Sequence, residues 1–537
     1  MFKHILHLTD SAIPDMLAGQ VLETNSPYYG GHIAQGKGFA EAGSGAADAF
    51  LAAYFCPESA YYKNPKVLDA AILSMEHLLR VTHEDGTIDL LETNFHDATC
   101  NGFAMEILGY THRLVKKYAV EPKEKHVLTL IETFTELSVK AMHEGGFHTP
   151  NHRWVVSAGM ALCYGVTADP RCLETVEAYL AEGIDCNEEG DYTERSVGIY
   201  DAVNNHALII IATELNKPEL LLHVRKNLDR IWYYVEADWQ AQTLVSRRQD
   251  YGKDASMIPH LWAYSFMAKH DQNPRYAWMA HKLMQQNTSH QCLLTKLLLM
   301  PEVTAEMPVS PMPMTYKMIY PKAGVARYRS NDLTLTLLKE NTTCLKIQYG
   351  SFRVFCKLAC TFFAHGRLSG QILEETTTGF TLSSHAEWGY RRPLKGVCNL
   401  DWFALPHAER EKANWQHHDW VLNVDFKDNE VNLHIRTDGT EGIPWKLEMI
   451  LDPGGTMHSQ GTTIPGSVGG WAVLGGSGLY AINNMWMSIK GGTNQHEYAP
   501  NMRNADPKST EGFTLYNTGF TPADHKVTIE FGKGYKN

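Results

Sequence analysis

Two hydrophobic periodicities divide the chain. Up to about residue 300, apolar residues recur at helical spacing, as in 46–54, 67–73, 127–131 and 207–212. Turn-rich pieces such as His83-Glu84-Asp85-Gly86 and Gly145-Gly146-Phe147-His148-Thr149-Pro150 separate these runs. The alternation predicts helical hairpins, each with one outer and one inner helix. Near Met300 the pattern changes to a connector carrying Pro301, Pro308, Pro311 and Pro313, which is hard to fit into a helix. Beyond it the period falls to two: 333–338, 344–349, 421–425, 431–435 and 526–531 alternate apolar with polar residues between Gly, Asn and Asp turns. The pattern predicts an α+β multidomain chain. An (α/α) toroid or barrel spans residues 1–300, a Pro/Met-rich linker 301–314, and an antiparallel β-sandwich 315–537.

Polar clusters punctuate the helical half roughly 45 to 55 residues apart, about the length of one helical hairpin in a repeat. They are Asn94-Phe95-His96-Asp97, Asn151-His152-Arg153-Trp154, Glu194-Arg195-Ser196 with Tyr200 to His206, and Arg247-Arg248-Gln249-Asp250-Tyr251. Glu41-Ala42-Gly43-Ser44-Gly45, ahead of the run 46–54, extends the series to five. Paired helices of this period stack as an open solenoid or close into a ring, and a ring gathers the same end of every inner helix around one cavity. Such placement of His, Arg, Asn, Tyr and carboxylate predicts a single polar site.

Each member also has a structural reading. Asp97 precedes an apolar helix and suits an N-cap. Arg153 near a helix N-terminus gains nothing from the dipole, so it either binds an anion beside His152 or pairs with a nearby carboxylate. Residues 191–206 are the densest stretch, with Glu194, Arg195, Tyr200, Asn204, Asn205 and His206. Tyr200 and Asn204 share a helix face at a spacing of four. Adjacent Asn residues in a helix cost propensity, which favours a functional role over a buried structural network. Arg247 and Arg248, with Asp250 and Tyr251, are either a solvated surface or the last cluster of the series, ahead of a helix beginning near Ala255. In the second half, His365-Gly366-Arg367 follows a strand-like Phe362-Phe363, as an ordinary surface loop or as a lid over the toroid.

Composition narrows the classes. A chain of 537 residues needs two or more domains, and a net charge of −12 argues against nucleic acid. The 10 cysteines include no Cys-x-x-Cys pair and suit buried thiols in a reducing compartment. No apolar leader follows Met1-Phe2-Lys3-His4 and no bilayer-length apolar run occurs, so no membrane is expected. The location reads as cytoplasmic, or periplasmic if a leader was removed. His407 and His417-His418 lack metal-ligand spacing, so neither metal nor cofactor is expected.

Several Arg and His among Trp and Tyr suit a sugar ring bearing one carboxylate, because Arg grips a carboxylate bidentately at every relevant pH. The expected partner is therefore a uronic-acid-containing oligosaccharide. The toroid-plus-sandwich order, with Asn204-Asn205-His206, resembles the heparinase II/III-like group. Within it, Asp191-Tyr192-Thr193-Glu194-Arg195-Ser196 and Ser246-Arg247-Arg248-Gln249-Asp250 are similar to glycoside hydrolase family 154. That resemblance implies an exo-acting β-glucuronidase, with Glu194 and Asp97 as the carboxylate pair that hydrolysis needs, Asp250 standing third. The wider group implies the alternative of a uronate lyase. There Asn204 or Asn205 with Arg248 neutralises the carboxylate, and Tyr251, Tyr200, His152 or His206 moves the C5 proton. A non-catalytic carbohydrate-binding protein is the third reading. The carboxylate-bearing cluster favours hydrolysis. Nothing in the sequence decides whether copies associate as a homo-oligomer.

Overall fold

The computed structural model describes residues 1–33, 39–40, 42–286, 292–363, 365–396 and 398–534. Glu41 of the first polar cluster lies outside these residues. The chain forms two compact units: Met1–Val235 with Gln240–Met312, and Glu236–Trp239 with Pro313–Asn537.

The first unit holds twelve α-helices among the described residues: α1 (Phe2–Gly19), α2 (Ser44–Phe55), α3 (Pro65–Val81), α4 (Ala98–Tyr118), α5 (Pro122–His143), α6 (Pro150–Thr167), α7 (Pro170–Ala181), α8 (Tyr200–Glu214), α9 (Leu221–Ile231), α10 (Leu261–Asp271), α11 (Pro274–Met284) and α12 (Leu293–Leu299). Proline at the start of α3, α5, α7 and α11 presets the helical φ where no N–H bond is needed. Asn64, Asp169 and Asn273 cap three of these by accepting from Lys66, Arg171 and Arg275 N–H. These proline-started helices are the outer ones, with one apolar face. The inner ones are buried nearly all round: Ala47 through Phe55 in α2 and Ala207 through Ala212 in α8 are all buried.

The inner helices pack in series, α2 on α4, α4 on α6, α6 on α8 and α8 on α10, with α12 set against α2 and α4. At the α4–α6 contact, a Cβ on Gly159 would lie 2.9 Å from Gly102 Cα. Only glycine permits that approach, which holds the starts of α4 and α6, and hence Asp97 and His152, side by side.

The cluster Asn94-Phe95-His96-Asp97 forms β2 (Asn94–Asp97), paired antiparallel with β1 (Ile88–Leu90). One sequence expectation is corrected here. The helix expected near Ala255 begins at Leu261, after a 3₁₀ turn over Ile258–His260, where Pro259 lacks the N–H that an α-helical bond would need.

The second unit contains two nine-stranded sheets. One runs Thr462–Pro465, Thr456–Ser459, Gly476–Ile482, Met485–Gly492, Asp524–Lys533, Glu430–Gly439, Lys412–Lys427, Gly379–Arg391, Ile372–Glu375. The other runs Trp471–Val473, Phe513–Phe520, Pro444–Leu451, Phe352–Phe362, Thr343–Tyr349, Leu333–Leu338, Val325–Ser330, Thr315–Tyr320, with His365–Leu368 on Phe352–Phe362. Among the described residues, the paired strands run antiparallel except Trp471–Val473, which is parallel to Phe513–Phe520. Leu335, Ile347, Val354 and Leu447 of one sheet join Leu422, Val424, Leu433 and Ile529 of the other in one core, the face-to-face burial of a sandwich. Among the described residues, no helix is long and apolar enough to cross a membrane.

Candidate functional site

The site is built on the loops ahead of α6, α8 and α10. The loop before α8 is held at several points. Thr193 N–H donates to Asp185 Oδ2 at 3.1 Å, Arg195 sits at φ +51°, and Ser196 Oγ accepts from Tyr200 N–H at the helix start. Arg247 N–H donates to the Glu194 carbonyl at 2.9 Å, tying this loop to the one before α10. His260 Nε2 donates to the Val197 carbonyl at 2.7 Å, anchoring the loop to α10 itself.

Held in this way, the Glu194 carboxyl is 3% exposed. Asn151 Nδ2 donates to both its oxygens, at 2.8 and 3.0 Å, and Arg248 Nη1 donates to Oε1 at 2.5 Å. Burial raises the Glu194 pKa above the usual carboxylate value; the Asn151 bonds and Arg248 charge pull it back, and Asp185 nearby adds to the rise. The Arg248 guanidinium lies 4.7 Å from the Tyr200 ring centre, and Gln249 Nε2 donates to the Tyr200 hydroxyl at 2.5 Å.

His152 is beside this group. Its Nδ1–H donates to the Phe147 carbonyl at 3.2 Å, which leaves Nε2 as the basic nitrogen. Burial lowers its pKa, with the Phe147 carbonyl and Asp97 opposing and Arg248 adding to the fall. Asp97 caps α4 through Thr99 N–H at 2.9 Å, and Cys100 Sγ–H points to its other oxygen at 3.7 Å. Capping is thus a job Asp97 performs, within the electrostatic reach of His152. Asp250 is buried and accepts from Ser246 Oγ, while its Oδ2 has no hydrogen bond among the described residues. Tyr251 follows on the turn, 46% exposed.

Other nominated residues have different partners. Arg153 pairs with Glu182 at 3.1 Å and Asp185 at 3.4 Å and stacks on Trp154, so its charge serves the structure. Arg195 pairs with Asp191 at 3.2 Å, and exposed Arg247 lies in the field of the same carboxyl. Asn205 faces the outer layer, accepting from Tyr192 Oη at 3.0 Å and donating to Asn227 at 2.7 Å; it is buried scaffolding rather than a sugar contact. Asn204 is fully buried with both amide atoms unbonded among the described residues. His96 is pinned on β2 by Asp85, with its N–H on Asp89 and its ring stacked on His83 at 3.8 Å. His365 and Arg367 belong to the second unit, where Arg367 pairs with Asp506 at 2.5 Å and His365 packs edge-on against Trp388. Asn151 and Gln249, inside the sequence clusters but not singled out, make the bonds that define the site.

Two side-chain groups have geometry that suits a cation. His83, Asp89 and His96 place ligand atoms within 4.8 Å of one another, as do His417, Asp419 and Asp438. The second trio corrects the expectation that His417 lacks metal-ligand neighbours. Asp419 and Asp438 face each other across two strands, which linear spacing does not reveal.

A cavity of about 910 Å³ is lined by His83, Asp89, Cys100, Phe103 and Ile107 among others. A second, of about 550 Å³, shares Phe103 and Ile107 and runs to Gly198, Ile199, His206, Trp262 and Lys296. The Glu194 group lies outside both linings; Gly198 and Ile199 connect its loop to the smaller cavity, and Cys100 connects Asp97 to the larger.

No family model matches the chain, and no curated protein does. Solved structures do. A Paenibacillus xanthan lyase is 8% identical over 100% of this chain, with a TM-score of 0.58. A Streptomyces coelicolor chondroitin AC lyase in complex with chondroitin sulphate is 13% identical over 99% of this chain and 79% of its own, with a TM-score of 0.51. The chain spans 57% of the length of the xanthan lyase. The fold is therefore that of a helical toroid followed by antiparallel β-sheets, shared with these polysaccharide lyases.

Proposed function

We propose that this chain is a carbohydrate-active enzyme that acts on uronic-acid-containing oligosaccharides, as an exo-acting β-glucuronidase of the kind glycoside hydrolase family 154 represents. The observation carrying this reading is the buried Glu194 carboxyl, raised by burial and aimed by Asn151 and Arg248. A glycosidase needs a carboxylic acid to protonate the leaving oxygen, and burial favours the protonated form of such a group. Glu194 takes that role. On the other side of the bond, neutral His152 with Asp97 directs the water through Nε2. The Arg248 Nη2 group, unbonded among the described residues, grips the ring carboxylate.

The same contacts disfavour elimination as the first choice. A lyase neutralises the substrate carboxylate with Asn and Arg, and here Asn151 and Arg248 already hold an internal carboxyl. One observation still favours a uronate lyase as the second reading: Tyr200, its hydroxyl bonded by Gln249 and its ring faced by Arg248, sets a phenol beside a guanidinium, the pair of groups elimination uses. The lyase fold of the solved relatives supports the same alternative.

Incubation with an aryl glucuronide and with a glucuronate-terminated oligosaccharide separates the readings. Hydrolysis releases saturated glucuronic acid with no ultraviolet absorbance from a C4–C5 double bond; elimination produces that absorbance. Neither product from either compound would leave a non-catalytic binding protein.

A further inference from the structure

The smaller cavity carries a cluster that the proposed chemistry does not use. Apolar residues of α4, α8, α10 and α12 form most of its wall, with Phe103, Val203, Trp262 and Leu293 among them. Glu106, His206 and Lys296 converge on it: Lys296 Nζ donates to His206 Nε2, and His206 Nδ1 lies 3.5 Å from Glu106 Oε2. Glu106 is 5% exposed, Lys296 3% and Trp262 4%. The Lys296 ammonium lies 5.4 Å from the Trp262 ring centre.

Two of these buried groups have unused hydrogen-bonding capacity. Glu106 Oε1 has no partner among the described residues, and neither has Trp262 Nε1–H. Buried polar atoms are normally bonded, so each points to something the cavity receives. An ionised Glu106 needs a donor and the indole needs an acceptor. Against an ionised Glu106 a carboxylate ligand serves only the indole and an ammonium only Glu106; a hydroxyl, which both donates and accepts, serves both groups in either protonation state. The charge of the wall points the same way. Burial raises the Glu106 pKa and lowers that of Lys296, so the pair is neutral whether the proton sits on the amine or the acid. Asp48, bonded to Thr111 and Thr295, adds a carboxyl whose charge Lys296 feels, and this penalises an anion. A volume of about 550 Å³ is within the roughly 300–1,000 Å³ of small-molecule sites.

We propose that this cavity is a subsite for a neutral, hydroxyl-rich saccharide ring packed on Trp262 and bonded by Glu106 Oε1 and the Trp262 indole N–H, with His206 holding Glu106 and Lys296 in place. The proposal rests on the carbohydrate reading above and goes beyond it, because the neutral ring binds apart from the Glu194 group that takes the uronate.

Saturation-transfer NMR and calorimetry on the full chain, with glucose, galactose and mannose and with glucuronate as the charged control, test it. At least one hexose binds, and Glu106→Gln and Trp262→Phe each weaken it about tenfold, the effect of losing one bond to a charged or buried group. Trp262→Phe keeps a ring and removes only the N–H, so it carries the test if Glu106→Gln fails to fold. Glu194→Gln leaves hexose binding unchanged while abolishing turnover, which separates this proposal from the enzymatic one. No hexose binding, binding indifferent to both cavity variants, or displacement of the hexose by glucuronate at equal concentration overturns it.

Discussion

A single amide, Asn151 Nδ2, donates to both carboxyl oxygens of Glu194, at 2.8 and 3.0 Å. The bond joins the first turn of α6 to a loop more than forty residues further along. It stabilises the ionised form of a carboxyl whose burial works the other way.

Removing that amide therefore shifts the acid in a defined direction. In Asn151→Ala the ionised Glu194 loses its donor and its pKa rises further. A general acid is active below its pKa, so the basic limb of the kcat/KM profile moves to higher pH. A hydrogen bond to a charged group is worth roughly 1.5–3 kcal/mol, which corresponds to about one to two pH units. Measuring kcat/KM against pH for wild type and variant checks it; a basic limb that stays put or moves down removes Glu194 as the acid.

Arg248 bridges Glu194 and the face of Tyr200, so its loss affects binding and protonation together. Arg248→Ala should raise KM for a glucuronide about tenfold to a hundredfold, the value of one charged contact, and lower kcat less. Arg248→Lys restores charge but not the planar fork or the stack, so rescue is partial. A KM unchanged in Arg248→Ala takes this residue out of the uronate contact.

The loop that presents Glu194 also depends on a buried imidazole. His260 is fully buried on the Val197 carbonyl, and burial lowers its pKa to about 4, against the Val197 bond, which raises it. The folded pKa lies below the unfolded value of 6.5, so between them the unfolded chain binds a proton that the folded chain refuses. Stability is intact above about pH 6.5 and falls as pH drops towards 4, by about 3 kcal/mol for this group. Comparing Tm at about pH 7.5 and about pH 5 should show a smaller drop in His260→Gln than in wild type, since Gln keeps a donor and does not titrate. Equal drops would mean that the imidazole is not the group refusing the proton.

The hairpin repeat was readable because apolar runs at helical spacing alternate with turn-rich breaks, both visible in a linear string. The polar clusters marked the ends of the inner helices, and Glu194, Arg248, Tyr200, His152 and Asp97 do come together. What the string does not carry is the partner. Arg153 and Arg248 look alike in sequence, yet one meets Glu182 and Asp185 while the other meets Glu194. Asn204 and Asn205 are neighbours, but a helix turns about 100° per residue, and only Asn205 reaches Tyr192 and Asn227. Glu106 and Lys296 sit singly in apolar runs, where nothing announces that α4 and α12 bring them to one cavity.

A last prediction concerns the second unit. Glu236 is 1% exposed and accepts from Lys346 Nζ at 2.9 Å, Arg327 Nη2 at 3.1 Å and Thr334 Oγ1 at 2.7 Å. Burial alone would raise its pKa, but the Arg327 and Lys346 charges and the bonds from Lys346 and Thr334 hold it at about 2. Its folded pKa is below the unfolded value of 4.5, so the stabilisation is present above about pH 4.5 and is lost as pH falls towards 2. Glu236→Ala leaves two buried cations without their counter-charge, a change that costs about 3–5 kcal/mol. Chemical denaturation of the full chain should show the transition of the β-sheet unit at markedly lower denaturant. Glu236→Gln, which keeps one acceptor but no charge, should fall between the two. A Glu236→Ala protein as stable as wild type would mean that Arg327 and Lys346 find water or another anion, and that the carboxylate is not what balances them.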